Sequence, residues 1–261
     1  MQHMHEQLAR SLADAWRECR SIPLPDADAA PRSRADAFAI QDRMAEILGD
    51  RVVGWKVGAA VRAVQILEGH DGPITGRLFA PRLFSSPARV PAAMYGGYKI
   101  ECEFAFRFGD DVPARGNPYT RAELEPQIVL HPGLEIAGTR YAVSPGMRKF
   151  TTHDAIADNG SGGAYVISQG IANWRGVDLA TLPIDARIDG GTAIEIYVGE
   201  FRRDPVDILV ETVNGLSERG IGFSAGDILS TGSLSTPTPL HAGQTYVARF
   251  GDLLTLTVAM D

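Results

Sequence analysis

Cysteine is scarce in this 261-residue chain, which has only Cys19 and Cys102. One lies in a helical pattern and the other at a core-facing strand position, which argues against a disulfide framework or a thiolate metal site and points to a reducing compartment. Positive charge is also short, since 25 Lys and Arg against 32 Asp and Glu leave a net charge of −7. That balance offers no basic footprint for nucleic acid or an anionic membrane surface. No apolar run approaches the length that spans a bilayer, and the opening Met1-Gln2-His3-Met4-His5-Glu6 lacks a basic stretch followed by a long apolar one. The expectation is a soluble, cytoplasmic protein with no nucleic-acid or membrane partner. Familiar catalytic signatures are missing too: there is no G-x-S-x-G elbow, no H-E-x-x-H, no EF-hand loop and no glycine spacing of a nucleotide or dinucleotide site. The six histidines (His3, His5, His70, His131, His153, His241) are scattered singly and read as surface or turn residues.

What is present is a core-forming composition, with 44% hydrophobic and 22% charged residues, in one main domain with a helical N-terminal extension. Over residues 6–20, Leu8, Leu12, Ala15, Trp16 and Cys19 recur at helical spacing, and Pro23-Leu24-Pro25 stops the helix. A second helix is predicted from about Ser33 to Gly49, with Ala37, Ile40, Met44 and Ile47 on one stripe. Residues 1–50 are expected to form this helical segment and residues 51–261 a β-rich domain. Strands are predicted at 52–57, 88–90, 100–108, 127–136, 163–167 and 184–198, with two more between 245 and 260. Helices are expected at 205–219, whose buried stripe is Val206, Leu209, Val210, Val213 and Leu216, and at 121–124.

The segment Tyr98-Lys99-Ile100-Glu101-Cys102-Glu103-Phe104-Ala105-Phe106-Arg107-Phe108 carries the most information. Alternation puts Ile100, Cys102, Phe104, Phe106 and Phe108 on a core face and both glutamates on the other. Side chains two apart on a strand sit roughly 6.5–7 Å apart at the backbone, so converging carboxylates repel unless a cation lies between them. In Leu134-Glu135-Ile136 a third carboxylate projects away from its aliphatic neighbours and is placed to join them. Three carboxylates are hard oxygen ligands that suit Mg²⁺ or Mn²⁺ better than Zn²⁺. Spacing alone equally describes an ordinary amphipathic strand, with Arg107 on the same face to neutralise the pair.

Lys56 sits in Val53-Gly54-Trp55-Lys56-Val57-Gly58, where apolar flanks are expected to desolvate the ammonium and lower its pKa. A lysine of that kind moves protons, although a snorkelling lysine beside a tryptophan has the same pattern. Residues 157–163 (Ala-Asp-Asn-Gly-Ser-Gly-Gly) and 229–235 (Leu-Ser-Thr-Gly-Ser-Leu-Ser) read as turns or loops. Their hydroxyls and free amides suit an anionic ligand.

The order Gly54-Trp55-Lys56-Val57-Gly58, Gly76-Arg77-Leu78-Phe79, Glu101-Cys102-Glu103, Leu134-Glu135-Ile136, Ala157-Asp158-Asn159, then Ala225-Gly226-Asp227 leading to Thr231-Gly232-Ser233 resembles the fumarylacetoacetate hydrolase superfamily. Within it the chain looks most like the 2-keto-4-pentenoate hydratase and 4-oxalocrotonate decarboxylase branch, over about its whole length. The resemblance implies an α+β fold, a mixed β-sandwich or roll whose mouth holds one Mg²⁺ or Mn²⁺. It implies Glu101, Glu103 and Glu135 as ligands, Lys56 and Asp71 as catalytic residues, and Ser161 and Ser233 as substrate-binding residues. It further implies a lyase acting on a small 2-oxo acid, and a homo-oligomer. Hydration of a 2-hydroxy-2,4-dienoate is the first expectation, with decarboxylation of 4-oxalocrotonate-like diacids, acylpyruvate-type C–C hydrolysis and non-catalytic 2-oxo acid binding as alternatives. Gly138, Gly160 and Glu211 depart from the family pattern, close to the expected cavity or to a packing helix.

Overall fold

The computed structural model describes residues 2–94 and 98–261. The N-terminal half runs α1 (Gln2–Glu18), β1 (Ile22–Pro23), α2 (Arg34–Leu48), β2 (Val52–Gly58), α3 (Arg62–Glu68), β3 (Ile74–Phe79), β4 (Leu83–Ser85), β5 (Ala88–Val90) and β6 (Tyr98–Phe108). Next come α4 (Arg121–Leu124), β7 (Ile128–Ala137), β8 (Tyr141–Ala142), α5 (Thr152–Ala157) and β9 (Gly162–Ile167). The chain closes with β10 (Ile184–Ile188), α6 (Pro205–Ser217), β11 (Ile228–Ser233), β12 (Thr238–Leu240), β13 (Thr245–Phe250) and β14 (Leu254–Met260).

The larger sheet has the order β3-β2-β11-β6-β7-β9-β4, with β12 also paired to β6, and the smaller has the order β10-β13-β14-β5. Alternation along β6 turns Ile100, Cys102, Phe104, Phe106 and Phe108, all essentially inaccessible, into one core with Tyr246, Phe250, Leu256 and Val258 of the smaller sheet. Phe104 and Phe250 meet across it with ring centroids 5.7 Å apart. Truncating such a ring costs about 3–5 kcal/mol. Helix α6 seals the same core with Val206, Leu209, Val213 and Leu216, after Asp204 accepts the Val206 N–H at 2.8 Å as its N-cap.

Helices α1 and α2 build a second core with Phe79 of β3, Tyr141 of β8 and residues 155–157 of α5. The ends of α2 fall at the residues the sequence names. The Ser33 hydroxyl accepts the Asp36 N–H at 3.1 Å, and Gly49 closes the helix at φ 67°.

Several expectations need correction. The stretch 184–198 is a strand only as far as Ile188, because Asp189 and Gly190 take left-handed backbone (φ 50° and 69°) and turn the chain. Residues 229–235 are not a free loop: β11 is an interior strand between β2 and β6, with Ser230 and Thr231 buried. Small hydroxyl residues carry a weak strand signal, and here neighbouring strands impose the conformation. Helices α3 and α5 and strand β3 were not foreseen. Of these α5 had a legible mark, the Thr151 to Asp154 capping box, in which each residue accepts the other's N–H.

Candidate metal centre

Antiparallel pairing of β6 with β7 sets Glu101 directly opposite Glu135, and Glu103 opposite Gly133. A Cβ at position 133 would lie 2.3 Å from the Tyr165 hydroxyl, so glycine there makes room for the ring packed beside Glu103. One carboxylate oxygen from each of Glu101, Glu103 and Glu135 lies within 4.8 Å of the others. Glu103 is wholly buried and Glu135 is 3% exposed. Among the described residues neither oxygen of Glu103 makes a well-formed hydrogen bond, with the hydroxyls of Ser230 and Tyr165 its nearest candidates. Burial, then the charge of Glu135, pushes Glu101 up to about 8. Burial, followed by the charges of Glu135 and Glu101, drives Glu103 well above the ordinary carboxylate range.

Lys56, one of three lysines in the chain, reaches the cluster from β2 with Nζ 3.2 Å from Glu135 Oε1, both side chains at most 5% exposed. Burial pulls its pKa down, but Glu135, Glu103 and Glu101 together outweigh that, so the net shift is upward and opposite to the sequence expectation. Two glycines crowd the lysine stem: a Cβ at Gly160 (φ 65°) would lie 3.0 Å from Lys56 Cε, and one at Gly162 would lie 3.3 Å away. Three carboxylates against one ammonium leave buried negative charge uncompensated, and every ligand atom on offer is a hard oxygen. This donor set fits a hard divalent cation.

Lys56, Glu101 and Glu135 open onto a cavity of about 130 Å³. Ser161 and Ser233 line it with them, as do Gly160, Thr231 and Gly232. Ser233 pairs with Glu103 across β11 and β6, where a bulge between Ser230 and Ser233 re-aims the strand. Asp158 is buried at the base of the Ser161 turn, where it accepts from Arg140 N (2.8 Å), Arg140 Nε (2.5 Å) and Thr139 Oγ1 (2.7 Å). Asn159 grips Arg77 of β3 through both backbone groups, at 2.7 and 3.0 Å. The turn is thus a rigid wall of the cavity.

No family model matches the chain. It is 29% identical over 245 residues to 2-keto-4-pentenoate hydratase of Paraburkholderia xenovorans (strain LB400), covering 92% of this chain and 89% of that one. It is 27% identical over 256 residues to 4-oxalocrotonate decarboxylase of Pseudomonas sp. (strain CF600), covering 96% and 94%. The structure of 4-oxalocrotonate decarboxylase from Pseudomonas putida G7, complexed with magnesium and adipate, aligns at a TM-score of 0.86 and 23% identity over 100% of this chain and 98% of that one. The chain is a homologue of this hydratase and decarboxylase branch, with the fumarylacetoacetate hydrolase fold.

In this homologue the structure gathers six of the seven residues singled out from sequence: Lys56, Glu101, Glu103, Glu135, Ser161 and Ser233. Asp71 is the exception and needs correction. Its side chain is 63% exposed, pairs with Arg34 at 3.2 Å and does not line the cavity. It follows the left-handed turn at Gly69 that ends α3, which carries it outward, while Glu68 and His70 line the cavity instead. Arg107 does not neutralise the glutamates either, since its Nη1 donates to the Gly226 carbonyl at 2.7 Å. Two histidines depart from the surface reading: His70 stands in the cavity wall, and His131 is buried with Nδ1 2.9 Å from the Ser168 carbonyl. Glu68 and His70 carried no sequence signal, because α3 itself was not foreseen.

Proposed function

We propose that this chain is a divalent-metal-dependent lyase that hydrates a 2-hydroxy-2,4-dienoate to a 4-hydroxy-2-oxo acid. The observation that carries the reading is the buried Glu101, Glu103 and Glu135 cluster beside Lys56 at the floor of an open cavity. Burying that much like charge costs stability, and a purely structural role offers nothing to offset it. A cation held by the three glutamates, Mg²⁺ or Mn²⁺, would neutralise the carboxylate and keto oxygens of a 2-oxo acid and lower the cost of enolate charge.

The chain's own residues supply the rest. Lys56, buried against Glu135, is the chain's own group for taking and returning a proton at the substrate. Moving the enol proton of the substrate to its terminal carbon gives a conjugated 2-oxo-3-enoate. Water then adds across that double bond, with hydroxide to the β-carbon and a proton to the carbon next to the ketone, so the net change is one water gained. Ser161, Ser233 and Glu68 line the cavity, which supports a reading in which the serines hold the substrate and Glu68 takes the part first given to Asp71.

The C–C hydrolase alternative needs a base held against water. His70 Nε2 lies 3.7 Å from Glu68, beyond hydrogen-bond length, and Nδ1 is 3.2 Å from Thr152 Oγ1, an arrangement that favours the lyase reading. An ultraviolet assay with added Mg²⁺ or Mn²⁺ tests it. Metal-dependent loss of 2-hydroxypenta-2,4-dienoate absorbance supports hydration, CO₂ release from 4-oxalocrotonate supports the decarboxylase alternative, and neither result sinks both. A homo-oligomer is part of the proposal, to be measured by light scattering on the eluting protein.

A further inference from the structure

Besides Lys56, Glu101 and Glu135, four ionisable side chains among the described residues line the cavity: Glu68, His70, Arg202 and Arg203. The head groups of both arginines are engaged by partners that do not line the cavity, although Arg202 Nε is left without one. Arg203 forms a two-pronged ion pair with Glu211 of α6, one arm at 3.0 Å. Arg202 donates through Nη2 to the Leu179 carbonyl at 2.6 Å, and its guanidinium carbon lies 5.9 Å from the ring of Phe104, on the core face of β6 rather than the glutamate face. Burial lowers the pKa of His70, with Lys56 adding to the effect, so it stands as the neutral imidazole. The remaining charge is the carboxylate of Glu68 at the end of α3; burial raises its pKa, and the cations that counter this are Lys56, already engaged with Glu135, and the exposed Lys99, which does not line the cavity. Much of the other lining is apolar, with Val61, Val64, Ile74, Phe150, Ala155 and Ile208.

We infer that the cavity selects 2-oxo monocarboxylates with an uncharged tail, and that Glu68 is the residue that turns away a second carboxylate. This rests on the 2-oxo acid reading above and narrows it. A substrate whose 2-oxo carboxylate end sits at the glutamate cluster must place its tail against the remaining wall. A tail carboxylate there loses its water without gaining a cation, and meets the like charge of Glu68. An alkyl or alkenyl tail carries no charge to desolvate and can pack on the apolar part of the lining. The hydration substrate has such a tail and the decarboxylation substrate does not. The similar Pseudomonas putida G7 structure is complexed with adipate, a dicarboxylate, so this selectivity would separate the two proteins.

Calorimetric titration of the magnesium-loaded protein with 2-oxopentanoate and with 2-oxoadipate tests the inference. The monoacid is expected to bind more tightly by on the order of tenfold or more, the scale of one unrelieved like-charge contact. Glu68→Gln, isosteric and uncharged, should narrow that gap, and Glu68→Lys should tilt it toward the diacid. Diacid binding as tight as monoacid binding in the unsubstituted protein overturns the inference, as does a gap that neither substitution moves. Binding of neither acid overturns the 2-oxo acid reading itself, and the inference with it.

Discussion

Glu101 and Glu135 stand directly across from each other on β6 and β7, two like charges at paired positions of neighbouring strands. Such a pair destabilises a sheet. Here it is also buried, joined by Glu103, and countered among the described residues by the ammonium of Lys56 alone at close range, 3.2 Å from Glu135. The expected behaviour of the protein follows from that imbalance.

Replacing Glu103 by Gln removes a buried carboxyl group that, without metal, must either stay charged among like charges or take up a proton. The metal-free variant should be more stable than the metal-free parent by about 1–3 kcal/mol, while Mg²⁺ no longer raises its melting temperature and turnover is lost. Thermal melts with chelator and with Mg²⁺ check both halves; undiminished Mg²⁺-dependent turnover in the variant would remove the metal assignment.

Metal-free protein should gain stability as pH falls from 8 to 6.5. Glu101 has its folded-state pKa raised from 4.5 to about 8, so its contribution is fully present below 4.5 and lost as pH rises through about 8. Below 6.5 the trend is opposed, because His70 and His131 have pKa values lowered by burial and the unfolded chain takes up their protons first. Melting curves across this window should slope in chelator and flatten with Mg²⁺. A flat profile in chelator would contradict the repulsion described above.

Lys56→Met keeps the length of the side chain and removes its charge and its proton. Metal binding is expected to persist, while exchange of the C3 protons of a 2-oxo acid falls by 10²-fold or more, the scale of a lost acid–base group. Proton NMR in D₂O reads that exchange directly, and exchange at the parent rate would exclude Lys56 as the proton carrier.

Asp71→Asn should leave turnover within about twofold of the parent, because the side chain is exposed and its partner is the surface residue Arg34. Steady-state kinetics decide it. A loss of 10²-fold or more would mean that the turn after α3 rearranges to bring Asp71 inward.

Much of the site was legible because it is written in local periodicity. The two-residue repeat of β6 separates Phe104 and Phe106 from Glu101 and Glu103 without reference to any other segment, and Ser33 and Gly49 mark the ends of α2 by their own conformational preferences. Ser230 and Thr231 were misread because their strand conformation is imposed by β2 and β6 on either side. Asp71 was misplaced for a related reason: a turn residue next to a short helix points wherever the turn sends it, and the chain around Gly69 sent Glu68 and His70 inward instead.

The sequence by itself determined which faces are apolar, where α2 is capped, and that three glutamates and a lysine lie on strands free to present them on the same side. These are properties of neighbours along the chain, governed by backbone geometry at short range. Only the tertiary structure decided that Glu101 meets Glu135 in register, that Glu103 is shut away from water, and that Arg202 and Arg203 are occupied elsewhere. Register, burial and partner choice depend on segments far apart in sequence, and these set the charge imbalance of the site.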